Sequence, residues 1–392
     1  MSREEELLHM RRALALAQAG WGRVAPNPLV GAVVVADGEV VGEGYHAEWG
    51  EPHAEIVALQ EAGTRASGAE LYVNLEPCAH TGKTAPCTEA IREAGIRLVV
   101  YAVPDPNPAA AGGGKWLGDH GLEVVQGVCA DEAAELNEPH LTAFNRERPF
   151  VALKYALSLD ARLSEAPGVE TRVTSPDATR ENHRLRAGHD CILVGIGTVL
   201  ADDPSLTVRE WKEPRVAPIR VVLDSTLRLP SGSALARGAR DVPLWVFSAP
   251  APAPAPAPGA PTRAADQLRS LGVELLTVPR AVAAEGGEGG ERGERGEGGE
   301  GGGLDLGAVL DTLRSRGVRS VLCEGGGVLG SALLAQGFVD RMYMFIAPLL
   351  FGELGVAAFQ GPRGKAPRDW RVIERKNLGE DTLLVLSPGS VK

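Results

Sequence analysis

His53-Ala54-Glu55, Cys78 and Cys87 are the residues of this chain best equipped for chemistry. One imidazole and two thiolates can hold a tetrahedral zinc ion and leave its fourth position to water, as a catalytic site requires. The metal draws the pKa of such a water toward neutrality, giving hydroxide at physiological pH. A carboxylate two residues from the ligand histidine reaches that water without binding the metal, so Glu55 is placed to shuttle a proton to leaving ammonia. Taken alone, His-Ala-Glu reads more simply as a solvated helix start, and two cysteines as buried packing residues. The full run from Glu76-Pro77-Cys78 through Pro86-Cys87 is far more specific.

The set matches the zinc-deaminase signature of His-x-Glu followed by Pro-Cys. One feature departs from it: eight residues separate the cysteines where two are usual. A second group of residues points to a phosphate-bearing ligand. Glu324-Gly325-Gly326-Gly327 lies between an apolar run and a helical pattern, where bare amides can cradle a phosphate. Gly195-Ile196-Gly197-Thr198 forms another strand-to-loop glycine cluster and leads into Asp202-Asp203-Pro204. No Gly-x-Gly-x-x-Gly follows a first strand, so an ordinary dinucleotide fold is not indicated.

The elements that must position these residues alternate. An amphipathic helix opens the chain and ends near Gly20. Strands over 29–35 and 40–44 flank Asp37-Gly38, a strong hairpin signal. Helices are predicted over 54–62, 88–94 and 131–144, with strands over 71–75 and 98–103. The polar stretch Asn145-Arg146-Glu147-Arg148-Pro149 sets a boundary between domains at 1–145 and 146–392. In the second half, strands are predicted over 150–157, 191–194, 221–223, 244–247, 275–278, 320–323 and 343–346. Helices are expected there over 176–187, 306–316 and 329–335. Both halves read as α/β. Ala-Pro alternation over 249–261 and a Gly/Glu/Arg stretch over 284–303 read as surface insertions.

Composition narrows the function further. The 392 residues carry a net charge of −11, concentrated in residues 1–145, which hold 9 Lys/Arg against 21 Asp/Glu. Such a surface repels a phosphate backbone, so nucleic acid is not expected as a partner. Five cysteines do not make a disulfide framework, and the start Met1-Ser2-Arg3-Glu4-Glu5-Glu6 has no signal-peptide core. A cytoplasmic protein with no membrane association is the expectation. Cys129, Cys191 and Cys323 read as packing residues, and His9, His120, His140, His183 and His189 as surface or structural.

Taken together, the motifs resemble the bifunctional deaminase/reductase family of riboflavin biosynthesis over nearly the whole chain apart from the two insertions. The resemblance rests on Pro26-Asn27-Pro28-Leu29-Val30-Gly31, Gly44-Tyr45-His46, His53-Ala54-Glu55, the Cys78–Cys87 run and Asp105-Pro106-Asn107-Pro108. In the second half it rests on Leu153-Lys154, the stretch from Gly197 to Pro204, and Glu324-Gly325-Gly326-Gly327. The longer cysteine spacing is normal in that family. The resemblance implies a cytidine-deaminase-like three-layer domain followed by a dihydrofolate-reductase-like α/β domain. It implies zinc-hydroxide deamination of 2,5-diamino-6-(5-phosphoribosylamino)pyrimidin-4(3H)-one, then NADPH reduction of the ribosyl to a ribityl chain, in a homo-oligomer. Matching positions for the first substrate are Asn27, His46, His80, Lys83, Asp105 and Asn107, although the two asparagines also read as turn residues. Matching positions for the second substrate are Lys154, Glu170, Arg186, Leu206, Arg209 and Glu324, with the two arginines as phosphate clamps. On the cofactor side stand Ala156, Arg172, Thr198, Asp202, Ser225, Gly326, Gly327, Val328, Leu329, Gly330, Ser331 and Ala332, and Thr174 lies in the same pocket segment. Glu170 and Arg172 depart from the family, which usually carries a serine and an aromatic residue there.

Two alternatives remain at this point. One is a zinc deaminase acting on another nucleobase or on nucleic acid, with an inactive second domain. The other is a scaffold with structural zinc, which would need a fourth protein ligand such as His46 or His80.

Overall fold

The computed structural model describes residues 2–80, 86–169, 171–250, 260–281, 303–361, 364–367 and 369–389. The chain forms two compact units, residues 1–147 with 213–216, and residues 148–212 with 217–392. The first contains strands β1 (Gly31–Ala36), β2 (Glu39–Tyr45), β3 (Glu70–Leu75), β4 (Leu98–Val103) and β5 (Glu123–Gln126). Its helices are α1 (Arg3–Ala17), α2 (Ala54–Ala62), α3 (Cys87–Glu93), α4 (Gly113–Asp119), α5 (Ala130–Leu136) and α6 (Glu138–Asn145). The sheet order is β2-β1-β3-β4-β5. β1 runs antiparallel to both neighbours, whereas β3, β4 and β5 are parallel.

The hairpin forms where Asp37-Gly38 calls for it, with φ of 52° and 80°, the two positive values a tight two-residue turn needs. The unbroken apolar run of β1 follows from burial on both faces. Ala32 and Val34 pack with Ala58 and Ala62 of α2. Val33 and Val35 pack with Met10, Ala13 and Leu14 of α1. Successive side chains alternate between faces, so the strand is the middle of three layers.

Two local expectations differ from the structure. The single helix expected over 131–144 is two helices, broken at Asn137. That side chain accepts from Leu29 N at 2.8 Å and donates to Leu29 O at 2.9 Å, a tie that substitutes for helix continuation. α4 and β5 were not predicted, because Gly112-Gly113-Gly114 reads as a loop. Close packing requires glycine there: a Cβ on Gly113 would stand 1.8 Å from Pro77 O.

The second unit has strands β6 (Phe150–Leu157), β7 (Cys191–Gly195), β8 (Ile219–Leu223), β9 (Leu244–Ser248), β10 (Glu274–Thr277), β11 (Ser320–Cys323), β12 (Arg341–Ile346), β13 (Trp370–Leu378) and β14 (Asp381–Pro388). Helices α7 (Pro176–Ala187), α8 (Ile196–Asp202), α9 (Ala234–Arg237), α10 (Ala260–Ser270), α11 (Leu306–Ser315) and α12 (Gly327–Ala335) accompany them. The sheet order is β10-β9-β8-β7-β11-β6-β12-β14-β13. It is parallel from β10 to β12, with an antiparallel β13–β14 hairpin at one edge. β6 lies inside the sheet and alternates: Val151, Leu153, Tyr155 and Leu157 enter one core, Phe150 and Ala152 another.

The expected loop at Gly195-Ile196-Gly197-Thr198 is instead the start of α8. α12 begins two residues earlier than expected, so Gly326 to Ala332 form a helix start rather than a loop. Gly330 lets that helix approach β6, since a Cβ there would stand 2.0 Å from Tyr155 Oη. Of the two expected insertions, residues 251–259 and 284–302 lie outside the described residues. No helix among the described residues is long and apolar enough to cross a membrane.

Candidate active site

His53 caps the start of α2 without using its side chain there, so the imidazole is available to the cysteines. Cys78 follows the end of β3 and Cys87 opens α3. One ligand atom from each of His53, Cys78 and Cys87 lies within 4.8 Å of the others. His53 Nδ1 is 3.2 Å from Cys87 Sγ and 3.6 Å from Cys78 Sγ. The Cys87 amide donates to Cys78 Sγ at 3.4 Å. One imidazole and two sulfurs at this spacing fit zinc. Among the described residues, no fourth His, Cys, Asp or Glu joins the group.

The three side chains share protons in a defined pattern. Hydrogen bonding from Cys87 and then His53 draws the Cys78 thiol down to about 4. The bond to Cys78 lifts His53 to about 9. Cys87 goes up, through its bond to Cys78 and its burial. Zinc binding must displace the protons from His53 and Cys87. Glu55, on the first turn of α2, is 3% exposed. Burial raises its pKa, which suits a group that takes and gives a proton near neutrality.

His46 lies beside this cluster, its ring 5.6 Å from that of His53. Nδ1 faces Pro52 O at 3.2 Å and Nε2 faces Asn27 Nδ2 at 3.1 Å. A carbonyl only accepts, so Nδ1 donates and Nε2 accepts from the Asn27 amide. Burial holds the ring's pKa below its usual value, consistent with that neutral form. Both nitrogens being engaged, His46 is not a fourth metal ligand. His80 is exposed, and Lys83 lies outside the described residues.

Asp105 and Asn107 form a turn in which Asn107 N donates to Asp105 Oδ1 at 2.9 Å. Two residues missed by sequence reasoning hold that turn. Glu76 accepts from Asp105 N at 3.2 Å and from Gly114 N at 2.9 Å. His140 Nε2 stands 3.4 Å from Asp105 Oδ1, both side chains largely buried. Glu76 was visible only as part of the Glu-Pro-Cys run, and His140 had no motif at all.

In the second unit a charged group gathers around Glu324, just past the end of β11, with Arg186 and Asn182 on α7 and Lys154 within β6. Arg186 grips Glu324 through two bonds, Nε–Oε1 at 2.5 Å and Nη2–Oε2 at 3.0 Å, and Asn182 adds a third at 3.1 Å. Glu324 is pulled down to about 2 by Arg186 despite its burial. Burial pushes the Lys154 ammonium down. The remaining Arg186 nitrogen, Nη1, donates to Thr207 O at 3.0 Å. Leu206 is buried with φ of 51°. Arg209 is exposed and donates to Thr207 Oγ1 at 3.0 Å and to Ser205 Oγ. Asn182 and His183, the latter bonded to Arg209 N, went unnoticed in the sequence because their partners are distant in the chain.

The cofactor-side positions divide. A Cβ on Gly326 would stand 3.8 Å from Thr198 Oγ1, and one on Gly195 would stand 3.9 Å from Leu329 Cδ2, so the starts of α8 and α12 are neighbours. Ala156 is half-buried on β6, and Ser225 follows β8. Ser331 accepts from Gln360 N at 2.7 Å, Ala332 packs on the core, and Val328 is 71% exposed. Gly327 and Gly330 are buried in α12. Asp202 and Arg172 are exposed, Thr174 is half-buried, and Glu170 lies outside the described residues.

Comparison with known proteins gives two family matches, "Cytidine and deoxycytidylate deaminase zinc-binding region" over residues 3–103 and "RibD C-terminal domain" over residues 149–384. The riboflavin biosynthesis protein RibD of Aquifex aeolicus is 37% identical, covering 98% of this chain and 99% of that protein. Its Escherichia coli counterpart is 38% identical over 96% of this chain and 98% of its own. The solved structure of Acinetobacter baumannii RibD aligns with a TM-score of 0.79 at 34% identity, covering 99% of this chain and 100% of the other. A Thermotoga maritima structure described as a diaminohydroxyphosphoribosylaminopyrimidine deaminase/5-amino-6-(5-phosphoribosylamino)uracil reductase aligns at 0.77 and 32%, over 99% of each chain. Matches of this extent, with a zinc-fitting cluster in one unit and a charged side-chain cluster in the other, mean that the chain belongs to the RibD family, the bifunctional deaminases and reductases of riboflavin biosynthesis.

Proposed function

We propose that the first unit deaminates 2,5-diamino-6-(5-phosphoribosylamino)pyrimidin-4(3H)-one and that the second reduces the ribosyl group of the product with NADPH. The observation that carries the reading is the His53–Cys78–Cys87 cluster with buried Glu55 on the same helix start. Zinc, when bound, supplies the Lewis acidity that makes water a nucleophile at neutral pH. Glu55 takes the proton released by that water and delivers it to the departing nitrogen, so water enters, the C–N bond breaks and ammonia leaves. Neutral His46, locked by Pro52 O, aligns the Asn27 amide toward the ring; the Asp105–Asn107 turn offers further polar contacts. Lys83 is placed by the same reading as a point charge for the substrate phosphate.

In the second unit the ribosylamine opens to an imine; NADPH, when bound, would supply a hydride for C1′ while a proton from solvent reaches the nitrogen. The chain's task is placement and charge. Each nitrogen of Arg186 already bonds Glu324 or Thr207 O, so it orders the site, and exposed Arg209 meets the phosphate. Lys154 and Glu324 line the reacting end as a buried charge pair. Thr198, Ser225, the residues from Gly326 to Ala332, Ala156, Asp202 and Arg172 form the cofactor side, and Leu206 and Glu170 the substrate side. The reading extends to a cytoplasmic homo-oligomer, supported by five free cysteines and by exposed Leu350 and Leu354. A strand-editing deaminase finds no support in a chain whose residues 1–145 hold 9 Lys/Arg against 21 Asp/Glu.

The test is stoichiometry. Full-length protein given the diaminopyrimidinone phosphate without NADPH should release one ammonia per substrate. Adding NADPH should then consume one equivalent. NADPH consumption with no ammonia release would overturn the order proposed here.

A further inference from the structure

The second unit holds a buried imidazole outside every motif. His183 lies on α7, one turn before Arg186, and is 2% exposed. Its Nδ1 stands 3.2 Å from the backbone N of Arg209. A backbone N–H only donates, so Nδ1 is the unprotonated nitrogen and accepts. One turn on, Arg186 Nη1 donates to Thr207 O at 3.0 Å. α7 therefore grips the 207–209 backbone at two points two residues apart, with one acceptor and one donor, much as a neighbouring strand would.

That segment needs an external hold. Asp203 and Leu206 have φ of 36° and 51°, a left-handed conformation unfavourable for side chains with a Cβ. Further supports sit upstream: Asp203 Oδ1 accepts from Ala234 N at 2.7 Å, and Arg220 Nη1 reaches Ser205 O at 3.5 Å. Among the described residues, only His183 bonds the backbone N–H of Arg209.

We propose that His183 is a positioning residue of the reductase site, an imidazole latch that docks the Thr207–Arg209 backbone on α7 so that Arg209 is presented to the substrate phosphate. The inference rests on the reading of Arg209 as a phosphate contact. The groups facing the ring are Arg186, Arg209, Glu210 and Glu324. Burial first, then the two arginines, lowers its pKa from 6.5, so the latch is closed at neutral pH. Protonation on Nδ1 removes the acceptor and sets a third cation beside Arg186 and Arg209. The latch opens on acidification.

The full chain carries its own control, because ammonia release reports the first unit and NADPH consumption the second. His183→Leu should raise the reductase KM for the phosphorylated substrate roughly tenfold, the scale of one buried donor left unpaired, with a smaller change in kcat and unchanged ammonia release. His183→Asn places an acceptor where Nδ1 stands and should restore most of the KM. In the unsubstituted protein the reductase KM should rise as pH falls below 6.5, and His183→Asn should flatten that rise. A wild-type KM in His183→Leu, or an undiminished acid-side rise in His183→Asn, overturns the proposal. Should His183→Leu fail to fold, the pH profile of His183→Asn decides alone. Arg209→Ala separates the two readings: a normal KM there refutes the phosphate contact, whereas a raised KM beside silent His183 variants refutes only the latch.

Discussion

Glu55→Gln is expected to cut ammonia release by about a thousandfold, within the range a positioned acid–base group contributes. The amide keeps the shape of the carboxyl but cannot accept and return a proton. His53, Cys78 and Cys87 are untouched, so zinc content should stay the same, and NADPH-dependent reduction of the deaminated substrate by the same protein should be unaffected. The melting temperature should not fall, because the substitution removes an ionisable group whose burial already disfavours its charge. Steady-state ammonia assays, metal analysis and calorimetry on one preparation separate these outcomes. Ammonia release at the unsubstituted rate would refute the role assigned to Glu55.

Glu324→Gln is the second large effect. Arg186 would lose a bidentate carboxylate, and Lys154 would lose the carboxylate charge that favours its buried ammonium. Removing one member of a buried ion pair typically costs about 3–5 kcal/mol, because the other charge is left stranded. Both the stability of the second unit and NADPH consumption should therefore drop, the latter by on the order of a hundredfold, the scale of losing one preorganised electrostatic group at a reacting centre. Ammonia release should persist at temperatures where the first unit remains folded. The pH dependence follows from sign. Glu324 in the folded protein titrates at about 2, below its ordinary 4.5, so its stabilisation is complete above 4.5 and is lost as pH falls through about 2. Thermal melts between pH 5 and 8 should show no titration from this pair. Unchanged NADPH consumption in the variant would contradict the account.

Much of this architecture is readable from residues whose physics is local. Asp37-Gly38 dictates a turn with two positive φ values, and the apolar run of β1 dictates burial on both faces. The zinc cluster is legible because few roles demand a histidine, a carboxylate two residues on and two distant cysteines together. What escapes is set by contacts far apart in sequence. The break at Asn137 depends on Leu29, 108 residues away. β13 shows mostly exposed side chains with no clear alternation, so as an edge strand it leaves little periodicity to read. Asn182 and His183 look like ordinary helix polar residues until Glu324 and Arg209 are brought to them. Glu76 gains its role only when the Asp105 turn and the start of α4 fold against it.

X-ray absorption at the zinc edge of the full-length protein should find one zinc per chain, with two sulfurs at about 2.3 Å, one imidazole nitrogen near 2.0 Å and one light atom that exchanges with solvent. Cys87→Ser should remove one sulfur from that shell and ammonia release with it. A shell filled by four protein ligands, or zinc unaltered by loss of Cys87, would contradict a catalytic zinc at this site.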